Sequence, residues 1–432
     1  MNTKTHVFGV FRTPVFIFSL LILFCAGLAA ISPALAEDDG IIEVKLSRKP
    51  DPLAKNVELG IDHLFTVLND TNAPLDVAQI QPMLDFVVNM QGSPKDIKPA
   101  KRFGGQGICL RKEVSTDLDT ILRYFYNPDI PNFLLCPAVL RLSGWHKESE
   151  FLKRETPIWE ELPTLDSPVL IRGKEFEANT PDSFAEAYYK YDLNRLIILL
   201  KHDGKNIAIS ISEQADKSDV GRKGAILNDK EWEYFYSGIE GLNKGMLSWM
   251  DTFMYKSGSV QVFVEHDAAT PKSSVFLFKW LNAGWSGMNV VKRKHIYEGS
   301  LRYARSFSKI LETSTLTPEE VAQALKGVAD MNNAEISTLI GEYSKNFEVR
   351  FKSDPKLKKR EYAKVIADGG YASVLDAEAR SSILALEKLK CLMGMDTLLD
   401  MCASPVAKAP AMPIIDGNTA DESAQPEIKP EG

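Results

Sequence analysis

The sequence predicts an α+β fold: a multi-stranded, curved antiparallel sheet with flanking helices, followed by a C-terminal helical domain. Three observations predict it. Between about residues 104 and 295 the apolar residues recur mainly with period two, the signature of strands. Few helical stretches separate those strands, so antiparallel pairing is favoured over a parallel sheet with crossover helices. From about residue 296 the apolar period becomes helical and stays so to the end of the folded part. The chain has 432 residues, 44% apolar and 25% charged, which is ordinary globular composition. It is long enough to bury a core without staples, and it is not a disordered, collagenous or multi-pass membrane chain. A formal charge of −7 argues against a broad nucleic-acid-binding surface.

The expected division is a signal peptide at 1–36, a linker at 37–56, an α+β domain at 57–313, a helical domain at 314–403 and a disordered tail at 404–432. Lys4 and Arg12 form a positive end, an apolar run extends from Val15 to Leu28, and Ala34-Leu35-Ala36 puts small residues at −3 and −1. That is the layout of a secretory signal peptide, so export to the periplasm or the exterior is expected. An uncleaved N-terminal anchor is the rival reading. Cleavage after Ala36 would take the formal charge from −7 to −9 by removing Lys4 and Arg12. No second run of about 18 apolar residues occurs, so no transmembrane segment is expected after cleavage.

Amphipathic helices are expected near 57–69 and 75–90, the first with Val57, Ile61, Leu64, Phe65 and Leu68 on one stripe. The clearest strand unit is a hairpin. Leu196, Ile198 and Leu200 alternate into Asp203-Gly204, and Ile207, Ile209 and Ile211 alternate away from it. Asp-Gly is a preferred type I′ turn, and that register puts all six residues on one face. The other face differs: Ile197 and Leu199 are apolar, Ser210 and Ser212 polar. A second hairpin should join 259–266 to 273–281, setting Val260, Val262 and Val264 beside Phe276, Phe278 and Trp280. Further strands are expected near 104–112, 133–143, 168–172, 231–238, 246–256 and 288–294. A helix near 296–312 carries Tyr303, Phe307 and Ile310. Thr317-Pro318-Glu319-Glu320 is a capping box with proline at N1, and helices near 334–350 and 374–393 complete the chain.

Cys25 leaves with the signal, and the even remainder favours disulfides in an exported protein. The preferred pairs are local: Cys109–Cys136 and Cys391–Cys402. The second requires Gly394 to break the helix, because 11 residues of unbroken helix rise about 16 Å.

Several motifs invite a chemical reading. Glu265-His266-Asp267 suggests a metal site or an acid–base pair, but neighbouring strand residues point to opposite faces unless a bulge intervenes. His266 is read as a hydrogen-bonded structural histidine. Gly284-Trp285-Ser286-Gly287-Met288 lacks the second glycine of a nucleophile elbow and the helix that must follow it. It is read as a turn between strands. Gly104-Gly105-Gln106-Gly107 precedes a strand-like run rather than a helix, so it is no dinucleotide loop. The basic runs 292–295 and 356–360 are read as solvated faces. No histidine spacing supports a metal site, and no cofactor is expected.

The aromatics of 231–285 are the feature with functional promise. Trp232, Tyr234 and Tyr236 alternate, as do Phe276, Phe278 and Trp280. Facing Tyr303 and Phe307, these rows would either fill a core or line an apolar pocket. A sheet closed by a long helix resembles ligand-holding grip folds, a likeness of fold only. The expected function is an exported, non-enzymatic envelope protein that binds an apolar, lipid-like ligand or a protein partner. One alternative is a hydrolase with a site assembled from distant residues, for which His266, Glu265 and Ser286 are the candidates. Another is a structural component of an envelope assembly.

Overall fold

Residues 43–90, 95–241, 250–267 and 270–402 are described by a computed structural model. The expected signal peptide, the tail and the first residues of the expected strand at 246–256 lie outside the described residues.

A short parallel pairing of β1 (Asp51–Pro52) with β2 (Ile97–Lys98) brackets α1 (Lys55–Asn69) and α2 (Val77–Asn89). The stripe expected on α1 is buried. Along the chain follow β3 (Gln106–Val114), α3 (Leu118–Phe125), β4 (Leu140–Trp145), β5 (Val169–Asn179), β6 (Ala187–Tyr188), β7 (Lys190–His202), β8 (Lys205–Gln214), β9 (Arg222–Asn228) and β10 (Glu233–Glu240). The long hairpin β11 (Thr252–Asp267) and β12 (Thr270–Trp285) ends in β13 (Met288–Asn289). One eight-stranded antiparallel sheet runs β4-β5-β7-β8-β11-β12, with β3 and β13 both on the outer edge of β12. A small second sheet is ordered β10-β9-β6.

The central hairpin has the expected register: Leu196 opposes Ile211, Ile198 opposes Ile209 and Leu200 opposes Ile207. Asp203 and Gly204 have φ of 49° and 74°, the positive values that a type I′ turn demands at both central positions. A Cβ on Gly204 would meet nothing within 4 Å, so any cost of substitution there is purely conformational. Gly204→Val should therefore lose about 1–3 kcal/mol, read as a fall in the urea midpoint. An unchanged midpoint would contradict the turn assignment. The β11–β12 register also pairs Val260 with Phe278 and Val262 with Phe276.

The two faces of the sheet differ. On one, Leu196, Ile198, Ile209, Val262, Phe276, Phe278 and Trp280 are fully buried under α1 and α2. The other face meets α3, the second sheet and α4 (Arg293–Leu311), against which Ile108 and Leu110 of β3 pack. The aromatic row of β12 thus lies on the side away from Phe307, contrary to the arrangement expected above. Its parity along the strand is shared with the isoleucines of β7–β8, and they all face α1 and α2.

This layering also corrects one disulfide. Cys109 and Cys136 are free. Cys109 opposes Phe278 and packs on the α1–α2 side, whereas Cys136 is buried in the cluster on the other side. The sheet lies between them, so closeness in sequence does not become closeness in space. Cys391 and Cys402 are joined, with Cα atoms 5.6 Å apart and the helix ended by Gly394 at φ 67°.

After α4 come α5 (Pro318–Ala329), α6 (Asn333–Phe351), α7 (Arg360–Ala367) and α8 (Ala377–Leu392). The capping box on α5 is formed: Thr317 Oγ1 accepts from Glu320 N–H, and Glu320 accepts from Thr317 N–H. Phe347 of α6, Tyr362 of α7 and Tyr371 of the 3₁₀ turn between α7 and α8 pack onto Phe235 of the second sheet. That apolar cluster is continuous with the sheet residues Leu199 and Phe263, and all the described residues lie in one compact unit. No described helix is long and apolar enough to cross a membrane.

Three local expectations change. Pro137 removes a backbone donor from the expected strand at 133–143, and a 3₁₀ turn at Asn132–Leu134, entered from Pro131, takes its first part, so β4 starts later. The strand at 288–294 shrinks to two residues because α4 starts at Arg293. Helices α3 and α7 were not anticipated, each being only eight residues long.

Candidate functional site

Between the second face of the large sheet and α4 lies a cavity of about 260 Å³. Its origin is visible residue by residue. In one row across the sheet, Lys279 of β12 opposes Ser259 of β11, Ser259 opposes Ser212 of β8, and Ser212 opposes Arg195 of β7. The next row sets Gln261 beside Ser210. Serines stand here where isoleucine and valine stand on the reverse face, so little side-chain volume reaches up to the helix. Opposite them α4 presents Gly299 and Ser300. Gly299 sits inside the helix, where glycine costs roughly 1 kcal/mol relative to alanine, and a Cβ there would meet nothing within 4 Å. Apolar walls come from Phe125, Leu140, Met254, Leu277, Leu281 and Ile296. A second cavity of about 110 Å³ adjoins the first and shares Asn179, Met254, His295 and Gly299 with it. Over it the ring of Phe184 stacks on His295 at 4.0 Å.

The polar lining is mostly satisfied. Arg195 donates to Glu175 from Nε at 2.7 Å and to Ser210 Oγ from Nη1 at 2.7 Å. Tyr191 donates to Glu177 at 2.9 Å, and Arg195 lies 3.6 Å from the same carboxylate. Ser212 and Ser259 share a hydroxyl–hydroxyl bond of 2.7 Å. Gln261 donates to Tyr303 Oη at 2.5 Å. Burial pushes the Glu175 carboxyl above its ordinary range, although Arg195 opposes this. It also pushes Tyr126 up to about 12 and the Cys136 thiol well above its usual value. The Cys136 thiol donates to Asn132 C=O. A thiol held protonated in this way is a poor nucleophile. Lys279 lines the cavity and is partly accessible, and burial lowers its pKa.

Of the eight aromatic residues proposed as ligand-binding, Tyr303 lines this cavity. Phe307 packs beside it, stacked on Tyr303 and against Phe125. Phe276, Phe278 and Trp280 are on the reverse face. Trp232 occupies a turn with φ 57°, and Lys309 lies over its ring. Tyr234 and Tyr236 belong to the second sheet, where Tyr234 donates to Asp229 and Arg141 lies over Tyr236. The structure therefore does not bring the eight residues together. The residues that do line the cavity were missed, apart from Tyr303. The available signal was Ser210 and Ser212 on the face opposite the isoleucines.

The candidate hydrolytic residues are also separate. A bulge falls between Glu265 and Asp267, yet Glu265 accepts from Asn206 and His266 pairs with Ser274 Oγ at 2.6 Å. Burial lowers the His266 pKa. Ser286 is exposed in the tight turn after β12, with φ 50°. Ser274 and Ser286 are separated by roughly 40 Å of extended strand. The basic run at 292–295 is not simply solvated: Arg293 grips Asp96 and ties the start of α4 to β2. Among the described residues, Asp85, His202 and Asp203 hold ligand atoms within 4.8 Å of one another. His202 already hydrogen-bonds Asp85 at 2.8 Å, so the group is satisfied without an ion.

No protein-family model and no curated protein matches this chain.

Proposed function

We propose that the protein is an exported, non-catalytic binder of a small amphipathic, lipid-like ligand held between the sheet and α4. The observation that supports this reading is the cavity itself. Its volume of about 260 Å³ falls just below the roughly 300–1,000 Å³ of typical ligand pockets, which suits a small ligand, and its walls are apolar with a few converging polar groups. A catalytic reading has less support, because the lining cysteine is held as a thiol bonded to a backbone carbonyl. A partner-docking reading would want a contiguous apolar patch. The large exposed apolar side chains among the described residues, such as Leu59, Phe184, Met288 and Val349, come instead from separate segments.

The test combines native mass spectrometry of the protein purified from its own envelope with uptake of a fluorescent short-chain lipid analogue. A side chain grafted at Gly299 should occupy the cavity, so Gly299→Leu should abolish uptake while the protein stays folded. Uptake equal to that of the wild type would remove the reading. Export has its own check: N-terminal sequencing of the secreted protein should begin at Glu37. A chain that retains Met1 and sediments with membranes would overturn it.

A further inference from the structure

Among the described residues that line the cavity, Lys279 is the cation without a counter-charge. Arg195 is held by Glu175 and Arg302 by Asp229. Lys279 has neither an ion-pair nor a hydrogen-bond partner. Its neighbours Phe278 and Trp280 are fully buried on the reverse face, and strand alternation therefore holds Lys279 towards α4. The strand sits inside the sheet, paired on both sides with β11 and β3, so the side chain rises into the space between the sheet and α4. Glu177, whose field Lys279 feels, is engaged by Tyr191 and Arg195. An ammonium taken out of water without a partner is costly, and an anion arriving from outside relieves that cost.

The chemistry narrows the anion. One ammonium balances one charge, and Arg195 has its Nε and both terminal nitrogens committed. A phosphate dianion would ask for more cation than the cavity supplies. Beside Lys279 the paired hydroxyls of Ser259 and Ser212 can turn a proton towards an oxygen acceptor, and beyond them Leu277, Leu281 and Ile296 offer apolar wall. We infer that the ligand carries a single carboxylate on a short apolar body, and that Lys279 is the group that binds the carboxylate. This rests on the ligand-binding reading above.

The test is calorimetric titration of the exported chain with octanoate and with octanamide, two amphiphiles of one size that differ in charge. Octanoate should bind roughly tenfold or more tightly, as expected for a charge-assisted contact. Lys279→Met should erase that difference while keeping octanamide binding, with a melting temperature no lower than that of the wild type. Equal affinity for the two amphiphiles in the wild type would overturn the inference and leave the cavity reading standing. Discrimination that persists in Lys279→Met would also overturn it. If neither amphiphile binds the wild type, the cavity reading fails and takes the inference with it.

Discussion

Phe278→Ala is expected to cost about 3–5 kcal/mol of stability and to leave uptake of an amphipathic probe unchanged. The side chain is fully buried beside Val260 and near Phe86 of α2, with ring centroids 6.3 Å apart. Truncation opens a hole in a close-packed layer between the sheet and α1–α2, and flanking residues such as Val262 and Trp280 cannot collapse into it without moving strands. The cavity lies on the other face, so the loss should show in urea unfolding and not in binding. Uptake lost together with a small stability change would mean that the two faces are not independent.

Arg195→Met should destabilise the protein by a comparable amount, about 3–5 kcal/mol. It leaves Glu175 and Glu177 in the interior without their guanidinium. The variant should carry a distinctive pH dependence. Burial already holds the Glu175 pKa above the usual carboxyl value with Arg195 in place, and removing Arg195 raises it further. A carboxyl whose folded pKa exceeds its unfolded pKa favours folding when protonated. Its contribution is fully present below the unfolded value of about 4.3 and is lost as pH rises through the folded pKa. Stability of the variant should therefore recover as pH falls from about 7 towards about 5, read from urea midpoints. A midpoint that does not rise on acidification would show that the two carboxylates find other partners.

The parts of the fold legible in sequence were those that local chemistry determines. Asp203-Gly204 and the alternation around it set the turn and the register of β7–β8 together, and Thr317 to Glu320 marked the start of α5. The cavity was illegible for a definite reason. Lys279 between Phe278 and Trp280 looks like any solvent-facing residue of a half-buried strand, and Ser210 and Ser212 look like its polar companions. Only the placement of α4 over that face turns a polar row into a lined interior, and no local pattern states which helix covers which face. The Cys109–Cys136 pairing failed in the same way, since separation along the chain carries no information about the side of a sheet. The aromatics misled because large apolar rings are the usual filling of a core, and here most of them are just that.

The edge position of β3 has a consequence for the time course of folding. Val114 of β3 pairs with Ser273 of β12, across a separation of 159 residues. Arg293 clasps Asp96 over 197 residues, and the Trp280 indole donates to Ala100 C=O over 180. β3 thus finds its partner strand only after β12 has been made. Closing such a loop is an entropic cost that must be met before the contacts reward it. Docking of β3 should therefore be the slow step, and until it occurs the outer edge of β12 stands open. A chain that folds late in this way stays threadable for longer, and it is also exposed for longer to strand-to-strand association with another copy.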